Sequence, residues 1–333
     1  MNSKELVYRA FELEELEKIP VIPQITYGTA SWAGMSILDG LGNHEKQAEA
    51  LLKGQKECGY DGIYCGWEGS FILLANALGS DIHKYENQTP AIKAPILNET
   101  DGAKNLTLSG LENKGLIPSN LNLIKIVKSK SPNIPVLSYI PGPFTQAGLL
   151  FDFQKYMINI FRKTELVKEV IEFCVDATIK LAELKIKAGA DILTMADPTA
   201  SCDIIPPKKF NELSLPYLKQ VFEALKGKAK LGLHICGKTL PILEAMAESG
   251  ANFLEIDAKN DLSEIMAKVG GKICISGNID TSNLLGNNSQ EIEQEIKDCL
   301  SKGGKKGFIL SSGCEVAHGT SIKNIKKMVQ LAK

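Results

Sequence analysis

The sequence predicts the α/β class and, within it, a (β/α)8 TIM barrel. Eight short apolar runs recur along the 333 residues, and amphipathic stretches with three- and four-residue apolar spacing separate most of them. Glycine-led dipeptides precede four of the runs: Gly59-Tyr60, Gly189-Ala190, Gly250-Ala251 and Gly270-Gly271. Runs rich in Ile, Leu and Val suit parallel strands covered on both faces, and repeated right-handed β-α crossovers favour a closed ring. A doubly wound open sheet is the alternative architecture.

In chain order, an acidic amphipathic N-terminal helical extension leads to the first expected strand at 21–25 and the second at 62–65. Residues 87–119 are rich in Pro, Asn and Gly and too long for an ordinary connection, so they form an insertion or lid carrying short strands. The third strand is expected at 135–140. The helix at 165–187 then places Val167, Val170, Ile171, Cys174 and Ala177 on one face. Strands at 192–196, 231–235, 253–257, 273–277 and 308–311 complete eight, interleaved with helices at 207–225, 240–249, 263–268, 289–302 and 321–332. Asp261 or Ser263 supplies an N-cap for the 263–268 helix. The whole chain, 1–333, reads as a single domain.

A formal net charge of −1 gives no broad field for nucleic acid or anionic lipid. No apolar run reaches the roughly 18 residues a membrane span needs, and the N-terminus lacks an apolar signal core. A cytoplasmic protein with no nucleic-acid or membrane partner is expected. Eight cysteines without regular spacing read as free thiols or metal ligands rather than a disulfide framework. Arginine is confined to Arg9 and Arg162, which removes most bidentate carboxylate clamps.

Barrel chemistry gathers where the βα loops meet, at the C-terminal strand ends. The sharpest signal there is His234-x-Cys236, because residues two apart on a strand point the same way. Cys314 follows the last strand and can approach from across the mouth. One imidazole and two thiolates would hold tetrahedral Zn²⁺ with one position left open, as in catalytic rather than structural zinc. The same residues also suit the plainer reading of small buried thiols beside a hydrogen-bonded core histidine.

The segments "LGLHICGKTLPILEAMAESGANFLEID", "CISGNIDTSNLL", "GFILSSGCEVAHGTSIKNIKKMV" and "ILTMADPTASCDIIPPKKFNELSLPYLKQV" resemble the uroporphyrinogen decarboxylase-like superfamily. The nearer likeness is to its corrinoid-dependent methyltransferase branch, which includes methylcobamide:coenzyme M methyltransferases. It spans most of the chain, strongest from about residue 190 and weak around 85–120. Thiol-methylating members carry H-x-C and a distal Cys as zinc ligands, which the resemblance maps onto His234, Cys236 and Cys314. Their acidic residue ending strand six, able to reach the metal, maps onto Asp257, one methylene shorter here, with Glu255 as the other nearby carboxylate. A mouth carboxylate maps onto Asp197, which also suits a turn Asp before Pro198. The arginine-bearing N-terminal motif of the decarboxylases is replaced by "KIPVIPQITYGTASWAG".

The resemblance thus implies a Zn²⁺ enzyme that moves a methyl group from a methyl-corrinoid to a small-molecule thiol such as coenzyme M or homocysteine. The corrinoid would ride on a separate small corrinoid carrier protein, since no D-x-H-x-x-G carrier segment occurs here. Trp67, Tyr139 and Phe144 are expected as apolar contacts for the cofactor. Asn278, Lys238 or backbone N–H groups would hold an acceptor's sulfonate. A tetrapyrrole decarboxylase and a non-catalytic zinc-stabilised barrel are the competing classes.

Overall fold

In a computed structural model describing residues 1–97 and 102–333, seven strands form one parallel, curled sheet. They are β1 (Ile63–Tyr64), β4 (Val136–Pro141), β5 (Ile192–Ala196), β6 (Lys230–Ile235), β7 (Phe253–Ile256), β8 (Cys274–Ile279) and β9 (Phe308–Ser312), hydrogen-bonded in that order. Two short strands, β2 (Ile82–His83) and β3 (Ala91–Ile92), pair antiparallel outside it.

The expected first strand is not a regular one. Pro23 lacks an N–H donor, and Gln24 N donates to Ser312 Oγ at 3.0 Å rather than to a strand carbonyl, so no regular ladder runs through 21–25. Val21 instead makes a single parallel bridge to Leu310, with Ile22 N donating to Leu310 O at 3.0 Å. On its other side Asp61 N donates to Val21 O at 2.7 Å. The segment therefore closes the ring between β9 and β1 with few bonds, and the barrel architecture stands.

The expected 207–225 helix breaks into Pro207–Leu213 and Leu215–Leu225. Pro216 removes a donor and disfavours helical backbone at the residue before it. The insertion starts earlier than residue 87: it comprises the β2–β3 pair, a 3₁₀ turn at Leu111–Asn113 and the entry into helix Ile117–Lys130. Positions 98–101 of the expected insertion lie outside the described residues.

The N-terminal extension explains why only one end of the barrel is open. Helix Ser3–Phe11 is fixed by a capping box between Asn2 and Glu5. Its Leu6, Val7, Ala10 and Phe11 pack against Ile22, Leu137, Ile192, Phe253 and Ile309 at the N-terminal strand ends, and the Phe11 ring stacks on Phe253 at 4.8 Å. Gly232 makes room for that phenyl ring, since a Cβ there would lie 2.3 Å from it. No helix among the described residues is long and apolar enough to cross a membrane.

Candidate metal centre

Register brings the key side chains level. Ala196 of β5 lies beside His234 of β6, which lies beside Glu255 of β7. Alternation along β6 turns His234 and Cys236 to the same side, and Cys314 arrives one residue beyond Gly313, just past β9. Gly313 is held by its N–H to Ile279 O at 2.7 Å, and a Cβ there would press on Ala258 N at 2.5 Å.

His234 Nε2 lies 3.1 Å from Cys236 Sγ, and the two sulfurs are 3.8 Å apart. The three donor atoms all fall within 4.8 Å of one another, the only such His/Cys/Asp/Glu grouping among the described residues. Tetrahedral bonds of about 2.3 Å to sulfur and about 2.0 Å to nitrogen require S···S near ~3.8 Å and N···S near ~3.5 Å. The S···S spacing and the soft donor set fit zinc, and the imidazole nitrogen lies slightly closer to Cys236 than the tetrahedral N···S distance.

The imidazole is oriented from behind. Its Nδ1 faces Glu255 Oε2 at 3.4 Å, and neither atom has another hydrogen-bond partner. The other Glu255 oxygen accepts from Thr194 Oγ1 at 3.2 Å and from the Tyr64 hydroxyl. All four side chains are buried. Burial opposes a charge on His234, yet the electrostatic pull of Cys236 and hydrogen bonds to both cysteines and Glu255 outweigh it and raise its pKa well above the usual value. A hydrogen bond from Cys236, opposed by burial and aided by His234, pulls the Cys314 thiol down to about 4. Such an electron-rich, buried group favours a bound cation.

The centre lines a mouth cavity of about 230 Å³, walled by Gln24, Thr26, Tyr27 and Tyr139 and, on the insertion side, Thr89 and Pro90. Glu315 also lines it. Desolvation lifts its pKa to about 8 against hydrogen bonds from Thr26 N (2.6 Å) and Oγ1 (2.8 Å).

The other expected site residues separate. Tyr139 lines the cavity, stacked on Tyr64 at 4.6 Å and donating to Gln24 Oε1 at 3.0 Å. Asp257 stands outside the donor trio: its oxygens accept from Gly237 N (2.8 Å) and Lys259 N (2.9 Å), so its short side chain ties the β6 and β7 loops together. Asp197 is fully buried between Thr145 N (2.8 Å) and Ser214 Oγ (2.7 Å), a brace from which the cavity-lining Ala196 and Pro198 hang. Burial raises its pKa despite those bonds.

Trp67 and Phe144 are not mouth contacts. Trp67 fills a satellite core against Gly40, Ala30 and Ile37, and Phe144 packs on Tyr156. Asn278 points away from the cavity, donating to Asn260 O at 2.9 Å and Asp257 O at 3.3 Å. Lys238 is exposed outside the cavity. Sequence reasoning missed the Tyr64–Thr194–Glu255 support, although strand parity with His234 and the register of parallel neighbours carried its signal.

Comparison with known proteins then adds relatives. The family model described as uroporphyrinogen decarboxylase (URO-D) matches residues 2–333. The methylcobamide:CoM methyltransferase MtaA of Methanosarcina barkeri is 30% identical over 336 residues, covering 96% of this chain and 94% of that protein. A uroporphyrinogen decarboxylase of Trichodesmium erythraeum is 27% identical over 268 residues, 77% of this chain and 73% of its own length. Among solved structures, a methyltransferase from Methanosarcina mazei superposes with a TM-score of 0.91 at 25% identity, covering 99% of this chain and 98% of that one.

Proposed function

The chain belongs to the uroporphyrinogen decarboxylase (URO-D) family, and within it we propose a zinc-dependent methyltransferase that moves a methyl group from a methyl-corrinoid to the sulfur of a small thiol. The methyl donor is carried by a separate corrinoid protein. The acceptor belongs to the class that includes coenzyme M, named in the MtaA relative, and homocysteine. The observation that carries this reading is the trio of His234, Cys236 and Cys314, with donor atoms within 4.8 Å of one another on the wall of the mouth cavity.

His234, Cys236 and Cys314 would hold the zinc, which, when bound, keeps an incoming thiol deprotonated and nucleophilic near neutral pH. Glu255 holds a proton on His234 Nδ1, leaving the Nε2 lone pair turned toward the sulfurs. Tyr64 and Thr194 hold Glu255 in turn. Two thiolates beside one neutral imidazole cancel a dication's charge, so an added substrate sulfur keeps its electron density. The N-terminal helix plugs the far end of the barrel, so the centre is reached through the mouth cavity.

Decarboxylation of a tetrapyrrole fits poorly. Neither Arg9, paired with Glu14, nor Arg162 lines the cavity to meet multiple carboxylates. The deciding experiment is metal analysis followed by demethylation of methylcobalamin with a panel of thiols. One zinc per chain with thiol-dependent demethylation supports the proposal; a metal-free chain, or a zinc chain inert to every thiol, defeats it.

A further inference from the structure

The cavity that holds the donor trio also contains an unsatisfied set of neutral donors. Helix Ser70–Ala77 starts in its wall, and Gly69, Ser70, Phe71 and Ile72 all line the same space as His234, Cys236 and Cys314. Gly69 has no side chain with which to cap the helix. The first N–H to find a carbonyl is that of Leu73, bonded to Gly69 O at 3.0 Å, so the N–H groups of Ser70, Phe71 and Ile72 have no protein acceptor among the described residues. Ser70 is 5% exposed, and its buried hydroxyl likewise has no hydrogen-bond partner among the described residues. Donors of this kind call for a partner from ligand or solvent.

The neighbouring carboxylate does not fill the role. Glu68 immediately precedes Gly69, but its oxygens are taken by Gln47 Nε2 (2.8 Å) and Asn120 Nδ2 (3.4 Å). The buried Lys185 is occupied too: Nζ donates to Ser138 Oγ (3.0 Å) and Tyr139 O (2.6 Å), behind Glu68 and outside the cavity. No Lys or Arg lines the cavity itself. A helix N-terminus with free N–H groups and a free hydroxyl is an anion site that needs no cationic side chain.

We propose that the N-terminus of helix Ser70–Ala77 is the subsite for the anionic tail, sulfonate or carboxylate, of the acceptor thiol, with Ser70 Oγ and the first helical N–H groups as its donors. The assignment rests on the thiol-methyltransferase reading for what happens at the sulfur, but the tail subsite can be tested without a sulfur. It also accounts for anion recognition in a chain so poor in arginine.

The test titrates the zinc-loaded full chain calorimetrically with ethanesulfonate, which carries the tail and no thiol. Demethylation of methylcobalamin is then compared for 2-mercaptoethanesulfonate, 3-mercaptopropionate, 2-mercaptoethanol and cysteamine. Ethanesulfonate is expected to bind, and the two anionic thiols to show lower KM than the neutral and cationic ones. Ser70→Ala should weaken ethanesulfonate and raise KM for the anionic thiols about tenfold, the loss of one hydrogen bond to a charged group, with less than about a twofold change for 2-mercaptoethanol. Ser70→Asp, whose carboxylate takes the free N–H groups, should abolish ethanesulfonate binding while circular dichroism stays that of the wild type. Wild-type ethanesulfonate binding by Ser70→Asp, or equal KM for anionic and neutral thiols, overturns the subsite. Ethanesulfonate binding lost in Ser70→Asp, in a chain that demethylates with no thiol, would uphold the subsite and defeat the methyltransferase reading instead. The ratio between sulfonate and carboxylate thiols identifies which anion the subsite prefers.

Discussion

Replacing Glu255 with Gln tests whether the imidazole is held from behind. The carboxylate serves two sides at once: one oxygen faces His234 Nδ1 at 3.4 Å, and the other accepts from Thr194 and Tyr64. An amide of the same shape has one acceptor oxygen and one donor group, so it cannot accept on both sides. If its oxygen stays with Tyr64 and Thr194, its NH₂ meets Nδ1 and drives the imidazole proton to Nε2, the nitrogen that faces the sulfurs. If it turns over, two buried hydroxyls lose their acceptor. Outer partners of metal-bound histidines contribute about ten- to a hundredfold in metal affinity, or ~1.4–2.8 kcal/mol. Competition against a chromogenic chelator should therefore show zinc held ten- to a hundredfold more weakly by Glu255→Gln, with the fold intact by circular dichroism. Unchanged zinc affinity would refute the idea that Glu255 sets the histidine's tautomer and orientation.

Three further outcomes follow from the same geometry. Cys236→Ala and Cys314→Ala should each lose stoichiometric zinc and thiol-dependent demethylation while keeping the barrel's circular dichroism; full metal content in either would remove that sulfur from the site. Asp257→Ala should retain zinc, because its oxygens serve Gly237 N and Lys259 N, and should lower stability by about 0.5–1.5 kcal/mol as a part-buried and an exposed donor lose their acceptor; loss of metal would make Asp257 a ligand. At the closed end, burial would raise the pKa of Asp191, but hydrogen bonds from Lys128, Lys4 and Val136 N lower it on balance. A depressed carboxylate stabilises the fold above its unfolded pKa and loses that contribution as pH falls through its folded one. Asp191→Asn should therefore lower the neutral-pH melting temperature and flatten its fall below about pH 4; a variant with an unchanged acid limb would place the effect elsewhere.

Much of this was legible along the chain. Period-two alternation puts His234 and Cys236 on one face whatever the rest of the molecule does, and continuous apolar runs require a sheet covered on both sides. The proline pair at Pro20 and Pro23 was also visible, but its weight was not. The ring closes through one backbone bridge to Leu310, supplemented by side-chain bonds: Val21 N to Asp61, and Gln24 to Ser312.

Sequence by itself determined the barrel, the paired imidazole and thiol on one strand, and the want of arginine. Only the tertiary structure decided that Cys314, 78 residues from Cys236, meets it at 3.8 Å. It likewise decided that Glu255 rather than Asp257 stands behind the histidine, and that an uncapped helix start shares the cavity. The physical reason is that alternation along a strand is a local property of the backbone. Which strand ends meet across the mouth depends instead on the stagger of every intervening strand and on how far each side chain reaches.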